Sequence, residues 1–457
     1  MEYESFLAAK VVSTPSVGFD PHDLSPMLYD FQRDIVAWAC RKGRACIFAD
    51  CGMGKTPMQV CWANNVVMET GGDVLILAPL AVTQQTKREA MKFGYDVTIC
   101  RRQSDVRPGI NVTNYEMLSH FDPSAFAGVI LDESSILKAY MGKTKRAIVN
   151  AFRDTPYRLA CTATPSPNDL MELLNHAEFL GVMESSKALS IWFIADQSQS
   201  GTYRLKGHAQ DSFWRWVASW AVALSKPSDI GDYSDDGYVL PPLHEVDEIV
   251  EVDQTIGRGD ELFRKVAMSA TGYQREKKLT LKARCERSAE IANATDDQCV
   301  VWCYRNDEST ELARLMPDAV EVRGNDSVER KERAILDFVD GRARVLVSKP
   351  SIFGFGINMQ NCHEMVFCGM DYSFESYYQA VHRCYRFGQE SSVTVHRVLG
   401  ETELSILRAV EGKRSQHESM TDSIAERVGS AYRESHFTIG ERAGDVPVPD
   451  WMMPHEN

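Results

Sequence analysis

The feature that most constrains the fold of this chain is an alternation of short apolar runs with amphipathic segments, which occurs twice. In the first half, candidate strands lie at residues 46–48, 74–78, 96–99, 110–113, 128–131 and 158–162. Helical patterns over residues 58–68 and 83–92 separate some of them. Because parallel strands need long crossover connections, this alternation predicts a parallel sheet with helices on both faces.

The second half repeats the pattern. Candidate strands lie at residues 299–304, 319–322, 344–348, 365–368 and 394–398, and candidate helices at 280–294, 307–316, 328–339 and 376–386. We therefore expect an α/β protein with two parallel-sheet lobes in tandem. The predicted boundaries are a first lobe over 1–180, a linker with a helical insertion over 181–245, a second lobe over 246–430, and an irregular tail over 431–457.

Composition narrows the class of protein. The net charge of −14 argues against a surface coated with basic side chains, so any contact with a polyanion must be local. No apolar run reaches the roughly 18 residues of a membrane span, and the first ten residues do not resemble a secretory signal. Twelve scattered cysteines, including Cys299 and Cys303 in one apolar run, favour reduced thiols and a cytoplasmic location.

The segment ADCGMGKT at residues 49–56 follows a candidate strand and precedes a candidate helix. Gly52 and Gly54, on either side of Met53, leave room for backbone N–H groups to surround an anion. Lys55 can reach the outer phosphates, and the Thr56 hydroxyl can hold Mg²⁺. The alternative is a glycine-rich turn capped by threonine. The strand–loop–helix context favours an ATP-binding loop.

Two adjacent carboxylates, Asp132 and Glu133, end the apolar strand at residues 128–131. At a strand end beside a phosphate loop, one carboxylate can bind Mg²⁺ and the other can polarise the attacking water. We assign Asp132 to the metal, together with Thr56, and Glu133 to the water. The alternative interpretation is a solvated strand end that caps the next helix.

Two arginines, Arg383 and Arg386, lie three residues apart in the segment QAVHRCYRFGQ. The helical pattern over 376–386 predicts that both side chains lie on one face of a helix. Arginines that reach a γ-phosphate stabilise the charge of the transition state and accelerate hydrolysis by about 10³ to 10⁵. The alternative is two surface arginines paired with carboxylates.

Taken together, these motifs resemble those of superfamily-two helicases of the DEAD/DEAH type. Within that group, the chain is most similar to Swi/Snf-like DNA translocases in the compact form that bacteriophages encode. The resemblance covers about residues 24–410. It implies RecA-like lobes with a nucleotide cleft between them, ATP and Mg²⁺ as cofactors, and DNA as the partner.

The resemblance also assigns roles to residues outside the three motifs. Gln32, in LYDFQ, matches the glutamine that reads the adenine edge. Pro79, Asn114 and Tyr115 match motifs that touch the nucleic-acid backbone after two strands of the first lobe. The segment TATP at 162–165 matches the motif that couples hydrolysis to lobe movement.

In the second lobe, the matching segment is SKPSIFGFGIN at residues 348–358. By resemblance, Ser348, Gly354 and Asn358 contact nucleic acid, and Gly356 contacts the nucleotide. The chain departs from the Swi/Snf branch where DESS at residues 132–135 replaces the common DEAH. Ser135 cannot perform the role of the family's histidine at this position.

Two weaker patterns have structural interpretations that compete with functional ones. An aromatic face formed by residues 213, 216, 217, 220 and 224 could stack bases, but such a helical spacing more often packs in a core. The basic residues at 277, 278, 282, 284 and 287 could follow a phosphate backbone, but a solvated helix face is the commoner use.

The sequence thus predicts an ATP-dependent DNA helicase or translocase that moves by opening and closing two lobes. The expected DNA is double-stranded or forked and is bound without sequence preference. An RNA helicase and a nucleotide-gated nucleic-acid-binding scaffold are the alternatives. We expect no membrane contact, and a place in the bacterial host cytoplasm if a phage encodes the chain.

Overall fold

The computed structural model of the chain describes residues 16–80, 82–139, 142–195, 203–251, 276–352 and 358–435. The chain divides into two compact units. The first comprises residues 1–236 with 417–457, and the second comprises residues 237–416. Each unit contains one parallel sheet.

The sheet of the first unit has seven strands, all parallel, in the order β3-β4-β2-β5-β6-β1-β9. These strands are β1 (Arg44–Ala49), β2 (Asp73–Ala78), β3 (Val97–Ile99), β4 (Ile110–Asn114), β5 (Phe126–Asp132), β6 (Tyr157–Thr162) and β9 (Ala221–Leu224). A separate antiparallel hairpin contains β7 (Phe193–Ala195) and β8 (Tyr203–Leu205). The central strands are buried along nearly their whole length, as expected for a sheet covered on both faces.

Helices connect the strands of the first unit. They are α1 (Asp30–Lys42), α2 (Lys55–Thr70), α3 (Thr83–Lys92), α4 (Lys143–Ala151), α5 (Glu172–Leu180), α6 (Ser185–Trp192) and α7 (Gln210–Ala218). Helix α1 ends at Gly43, whose φ of 70° is left-handed and therefore suits glycine. The turn after Gly43 leads directly into β1, the strand that carries the phosphate loop at its far end.

The sheet of the second unit has six parallel strands in the order β10-β15-β14-β11-β13-β12. They are β10 (Leu243–Val250), β11 (Cys299–Cys303), β12 (Val320–Glu321), β13 (Val345–Ser348), β14 (Glu364–Cys368) and β15 (Val393–Gly400). Helices α8 (Leu281–Asn293), α9 (Asn306–Leu315), α10 (Val328–Val339) and α11 (Phe374–Val381) connect these strands, and α12 spans Leu404–Ser435.

Two hydrophobic clusters lie on opposite faces of the second sheet. Val300 and Trp302 belong to one cluster, whereas their neighbours Cys299, Val301 and Cys303 belong to the other. Because successive side chains of a strand point to opposite faces, this division means that both faces are covered. The expected fold class, an α/β protein with two parallel-sheet lobes in tandem, is therefore confirmed.

The segment predicted as a linker differs from the expectation. Ala221–Leu224 is strand β9, which pairs with β1 and extends the first sheet. Leu243–Val250 is strand β10, which pairs with β15 over eight residues. We did not predict β10 because an edge strand with a polar sequence, LHEVDEIV, lacks the apolar run of a central strand. The tail predicted from residue 431 begins later, since α12 continues to Ser435, and residues 436–457 lie outside the described residues.

Both weaker sequence patterns include buried side chains. The aromatic side chains of α7 and of Trp220, which follows the helix, pack in the core, where Trp216 contacts both Phe213 and Trp220. The predicted basic face of α8 is not solvated throughout. Arg284 is fully buried and forms ion pairs with Glu308 and Glu403.

The sequence predicts reduced cysteines and no membrane span, and the structure can be compared with both predictions. All twelve cysteines are free thiols, and eleven of them are buried, including Cys299 and Cys303 in β11. In the part of the chain that the structure describes, no helix is both long enough and apolar enough to cross a bilayer.

Candidate nucleotide site

The phosphate loop connects β1 to α2 in the first unit. Gly52 and Gly54 have φ angles of 94° and 81°, which only glycine adopts without strain. The Lys55 ammonium group folds over the loop, where Nζ donates to the carbonyl oxygens of Ala49 at 2.7 Å and Asp50 at 3.2 Å. This is a glycine-rich turn at a helix N-terminus, a geometry that suits an anion, and the Lys55 ammonium group lies beside it.

Gln32 from α1 lies directly beneath this loop. Its Nε2 donates to the Met53 carbonyl at 2.9 Å, and its Oε1 accepts from the Tyr29 N–H at 3.0 Å. A Cβ on Gly54 would come within 2.2 Å of Gln32 Nε2, so a larger residue there would displace the Gln32 amide. Gln32 thus supports the conformation of the loop, and its contact with adenine remains a prediction.

Asp132 ends β5 at the same edge of the sheet, because all strands are parallel and each loop follows a carboxyl end. Gln59 of α2 donates from Nε2 to Asp132 Oδ1 at 2.7 Å. Burial and the neighbouring charge of Glu133 raise the pKa of Asp132 to about 7, while Gln59 and the Lys55 charge act in the opposite direction. Gln59 belongs to none of the sequence motifs, although its position four residues after Lys55 places it on the same helical face.

Glu133 follows in a left-handed conformation with a φ of 51°, and it is the one described non-glycine residue with a positive φ. Such a conformation costs free energy and occurs most often at functional sites. The Glu133 carboxylate accepts from Thr162 Oγ1 at 3.3 Å, and Thr162 Oγ1 accepts from the Thr164 N–H at 3.1 Å. The TATP segment is therefore linked to Glu133 by hydrogen bonds.

His176 of α5 makes a second link to the acidic loop. Its Nε2 lies 3.0 Å from Ser134 Oγ, and its Nδ1 lies 3.2 Å from the Glu172 carbonyl oxygen. A carbonyl only accepts, so Nδ1 carries the proton and Nε2 accepts from the Ser134 hydroxyl. Burial lowers the pKa of His176 to about 4, which keeps the imidazole neutral. This contact could not be predicted from the sequence, because it joins residues 42 positions apart.

The donors of this site fit Mg²⁺. Protein magnesium sites that also involve phosphates use one or two carboxylates, with the remaining positions filled by phosphate oxygens and water. Asp132 supplies a buried carboxylate beside a second one, and the half-buried Thr56 is the second residue of the adjacent helix α2. No cluster of three or more His, Cys, Asp or Glu side chains that could hold a metal occurs among the described residues.

The residues of the first unit expected to touch nucleic acid lie at the ends of β2 and β4. Pro79 is half-buried, and the next residue, Leu80, is 67% exposed. Asn114 is buried, and its Oδ1 has no hydrogen-bond partner within the described ranges. Tyr115 is also buried, and its hydroxyl donates to the Asp132 carbonyl at 2.7 Å. Its position therefore connects the end of β4 to the acidic strand.

In the second unit, Ser348 ends β13 and is fully buried, with Oγ donating to the Val322 carbonyl at 2.9 Å. Gly354 and Gly356 lie outside the described residues. Asn358 follows them, and its buried Oδ1 has no hydrogen-bond partner in the described structure. The predicted roles of these four residues remain predictions.

The arginine segment departs from the predicted helix. Helix α11 ends at Val381, so Arg383 and Arg386 lie in the turns that follow rather than on a helical face. The turns are fixed by Gln389, whose Nε2 donates to the carbonyls of Gln360, Cys362 and Cys384. Gly388 has a φ of 87°, which a helix excludes. Arg386 is half-buried, and its Nε has no hydrogen-bond partner among the described residues.

The geometry of the first unit defines an α/β protein with a glycine-rich loop, a lysine and an acidic pair at the carboxyl edge of its sheet. Comparisons with known proteins agree with this class. Residues 282–388 match the family model described as "Helicase conserved C-terminal domain". That match falls in the second unit and includes Arg383 and Arg386.

Two individual proteins are similar over most of the chain. "Putative ATP-dependent helicase/translocase YwqA" of Bacillus subtilis (strain 168) is 21% identical over 433 residues, which cover 83% of this chain and 46% of that protein. The chain thus spans about half the length of this relative. The structure of the "Sulfolobus solfataricus SWI2/SNF2 ATPase core in complex with dsDNA" has 16% identity and a TM-score of 0.43, and the match covers 91% of this chain and 97% of that one. The family model and the Bacillus protein both carry a helicase description.

Proposed function

We propose that the chain is a DNA-dependent ATPase that couples ATP hydrolysis to movement along DNA. The observation that carries this proposal is the carboxyl edge of the first sheet. There, Lys55 lies on the phosphate loop, and its charge acts on Asp132 at the end of β5. The helicase family match to residues 282–388 and the motif resemblance to Swi/Snf-like translocases support the remainder.

In the proposed reaction, backbone N–H groups of residues 52–56 and the Lys55 ammonium group bind the phosphates of ATP. Asp132 and Thr56 would hold Mg²⁺, which neutralises phosphate charge when it is bound. Glu133 accepts a proton from the attacking water while the water oxygen bonds to the γ-phosphorus and the bond to the β-phosphate oxygen breaks. The Thr162 hydroxyl at 3.3 Å orients the Glu133 carboxylate for this step.

We further propose that Arg386, with Arg383, acts on the phosphates that Lys55 binds. A guanidinium group stabilises the charge that develops on the γ-phosphate oxygens. The unsatisfied Nε of Arg386 supports this assignment, because a buried donor without a partner is costly unless a ligand completes it. Cycles of ATP binding and hydrolysis would then open and close the two lobes.

The proposed partner is double-stranded or forked DNA, contacted through its backbone by Pro79, Asn114, Tyr115, Ser348, Gly354 and Asn358. Backbone contacts carry little sequence information, so we expect binding without sequence preference. The compact bacteriophage form and the host cytoplasm as location belong to the same proposal. They rest on the motifs and on the sequence pattern.

The test is the steady-state rate of ATP hydrolysis by the full chain, measured alone and with duplex DNA, single-stranded DNA or RNA. The proposal predicts a rate that rises with DNA and requires Glu133, so that Glu133→Gln retains nucleotide binding and loses turnover. Stimulation by RNA in preference to DNA would favour an RNA helicase. A rate that responds to no nucleic acid would contradict the proposal and favour a nucleotide-gated scaffold.

A second assay separates the two forms of movement. Triplex displacement reports translocation on a duplex, whereas separation of a labelled fork reports unwinding. Displacement without fork separation is the result expected for a Swi/Snf-like translocase. Fork separation would make the chain a helicase in the strict sense, and failure of both assays despite DNA-stimulated hydrolysis would contradict coupled movement.

A further inference from the structure

A second cationic site lies in the first unit, at the edge of the sheet opposite the phosphate loop. A cavity of about 550 Å³ opens beside the amino ends of β1 and β6. Its lining includes five basic side chains, those of Arg44, Lys145, Arg146, Arg153 and Arg158. Only two carboxylates, from Glu178 and Glu184, line it as well. This excess of positive charge is unusual for a chain whose net charge is −14.

Two of the arginines are neighbours across the sheet. Arg44 and Arg158 are direct partners in the register of β1 and β6, where like charges repel. A Cβ built on Gly181 would lie 3.1 Å from Arg158 Nη1 and 3.2 Å from Arg44 Nη1, so both guanidinium groups converge on that glycine. Gly181 has a φ of 71° and ends α5. A larger residue there would occupy the point at which the two cations meet.

The guanidinium groups of Arg44 and Arg158 are held in place by backbone carbonyl oxygens rather than by ion pairs. Arg158 is 3% exposed, and its three nitrogens donate to the carbonyls of Thr155, Phe179 and Arg153. Arg44 Nε donates to the Pro156 carbonyl at 2.9 Å. Within the described ranges, neither arginine forms an ion pair, and neither does Arg153. Burial, followed by repulsion from Arg44, lowers the pKa of Arg158 to about 10 despite the opposing charge of Asp154.

Lys145 and the two carboxylates of the cavity lie beside the start of α6. Lys145 forms an ion pair with Glu178, whose carboxylate also accepts from Ser185 Oγ. Ser185 begins α6, so N–H groups of its first turn add to the positive potential. Glu184 is exposed immediately before that helix. The carboxylates therefore limit the size of an anion that fits, and they disfavour a long polyanion laid across the cavity.

We propose that this cavity binds a compact phosphate-bearing anion, such as a pyrophosphate group, at Arg44, Arg153 and Arg158. Guanidinium groups bind phosphate oxygens in pairs of parallel hydrogen bonds, and the cavity volume falls within the range of small-molecule sites. The site is separate from the phosphate loop, since the rise from Arg44 to the end of β1 at Ala49 is about 16 Å at 3.3 Å per residue. It does not depend on the proposed function of that loop.

The test is pyrophosphate binding to the full chain by isothermal titration calorimetry, in a Lys55→Ala background that weakens the phosphate loop. The variant Arg44→Gln with Arg153→Gln should bind pyrophosphate at least about tenfold more weakly, because two charge-assisted hydrogen bonds are lost. Arg158 is left unchanged because its carbonyl bonds hold the strand end. The matched control is Arg101→Gln with Arg107→Gln, two exposed arginines of the same unit outside the cavity, which should change nothing.

A variant that binds pyrophosphate more tightly shows that the weaker binding of the arginine variant is not caused by misfolding. Glu184→Gln removes a carboxylate from the cavity and should tighten pyrophosphate binding by about two- to fivefold, which a damaged fold cannot do. Equal affinities of the cavity variant and the control, or binding that disappears entirely with Lys55→Ala alone, would overturn the proposal. Loss of duplex-DNA affinity with unchanged pyrophosphate binding would also overturn it, because the arginines would then follow a nucleic-acid backbone.

Discussion

The Ser134 hydroxyl donates to Nε2 of His176 across 3.0 Å, and this contact joins the acidic loop to helix α5. Both side chains are fully buried. Ser134 follows Glu133, whose carboxylate is the proposed base, so the hydrogen bond fixes the backbone beside the reacting group. His176 is a positioning residue in this account. It supplies a neutral imidazole to a loop whose DESS sequence has none.

The first prediction concerns this contact. Ser134→Ala and His176→Leu should each lower kcat by about ten- to a hundredfold with a smaller change in KM for ATP, because a small displacement of a catalytic group has effects of that size. His176→Gln, which keeps an acceptor, should recover part of the rate. The measurement is steady-state ATP hydrolysis as a double-mutant cycle. Independent, additive losses in the cycle would show that the hydrogen bond has no such role.

Gln59 gives a second prediction, because its amide is the hydrogen-bond donor to the proposed magnesium ligand Asp132, at 2.7 Å. Groups that orient a metal ligand change metal affinity by about 10- to 100-fold. Gln59→Leu should therefore raise the Mg²⁺ concentration that gives half-maximal ATP hydrolysis, with little effect on the maximal rate at saturating Mg²⁺. Gln85→Leu on α3 serves as the control. An unchanged Mg²⁺ dependence would separate Gln59 from the metal site.

A third prediction concerns stability of the second unit. Arg284 forms ion pairs with Glu308 and Glu403, and all three side chains are fully buried. Arg284→Met leaves two carboxylates without their cation, which should lower the free energy of unfolding by about 3 to 5 kcal/mol.

The same helix offers the control. Arg287 is 42% exposed and pairs with Glu248 and Glu290, so Arg287→Met should cost no more than about 1 kcal/mol. Urea unfolding of both variants measures the difference. Similar costs for the two substitutions would mean that the buried cluster contributes no more than a surface pair.

The fourth prediction is a pH dependence. His396 lies between Glu364 and Glu248, and these carboxylates raise its pKa above the usual value of about 6.5. A histidine whose pKa is higher in the folded state stabilises the fold when it is charged. This contribution is complete below about pH 6.5 and is lost as the pH rises through the folded pKa. Wild type should therefore exceed His396→Gln in stability at about pH 6, with the difference shrinking toward about pH 9. A constant difference would contradict the linkage.

The parallel strands were predictable because their apolar, β-branched runs are buried on both faces. Strands β9 and β10 were not, since a four-residue strand carries little pattern and the charged sequence of β10 is stabilised by pairing with β15. The turns after α11 are fixed by the Gln389 amide, which donates to carbonyls up to 29 residues away. Helical periodicity along the sequence cannot predict such a distant contact.

The residues of the candidate site also divide into those that the sequence predicts and those that only the structure identifies. Lys55, Asp132 and Glu133 belong to local motifs, in which chemistry and spacing are visible along the chain. Gln59, His176 and the arginines that meet at Gly181 acquire their importance only from neighbours distant in sequence. A single sequence contains no signal for such tertiary contacts.

The central claim is that Arg386 of the second unit acts on the nucleotide that Lys55 of the first unit binds. The most direct test is single-turnover ATP hydrolysis with saturating duplex DNA, compared between wild type, Arg386→Ala and the exposed-arginine control Arg342→Ala. We predict that Arg386→Ala hydrolyses bound ATP about a thousandfold more slowly while binding it with similar affinity, and that Arg342→Ala matches wild type. An undiminished rate for Arg386→Ala would contradict the account.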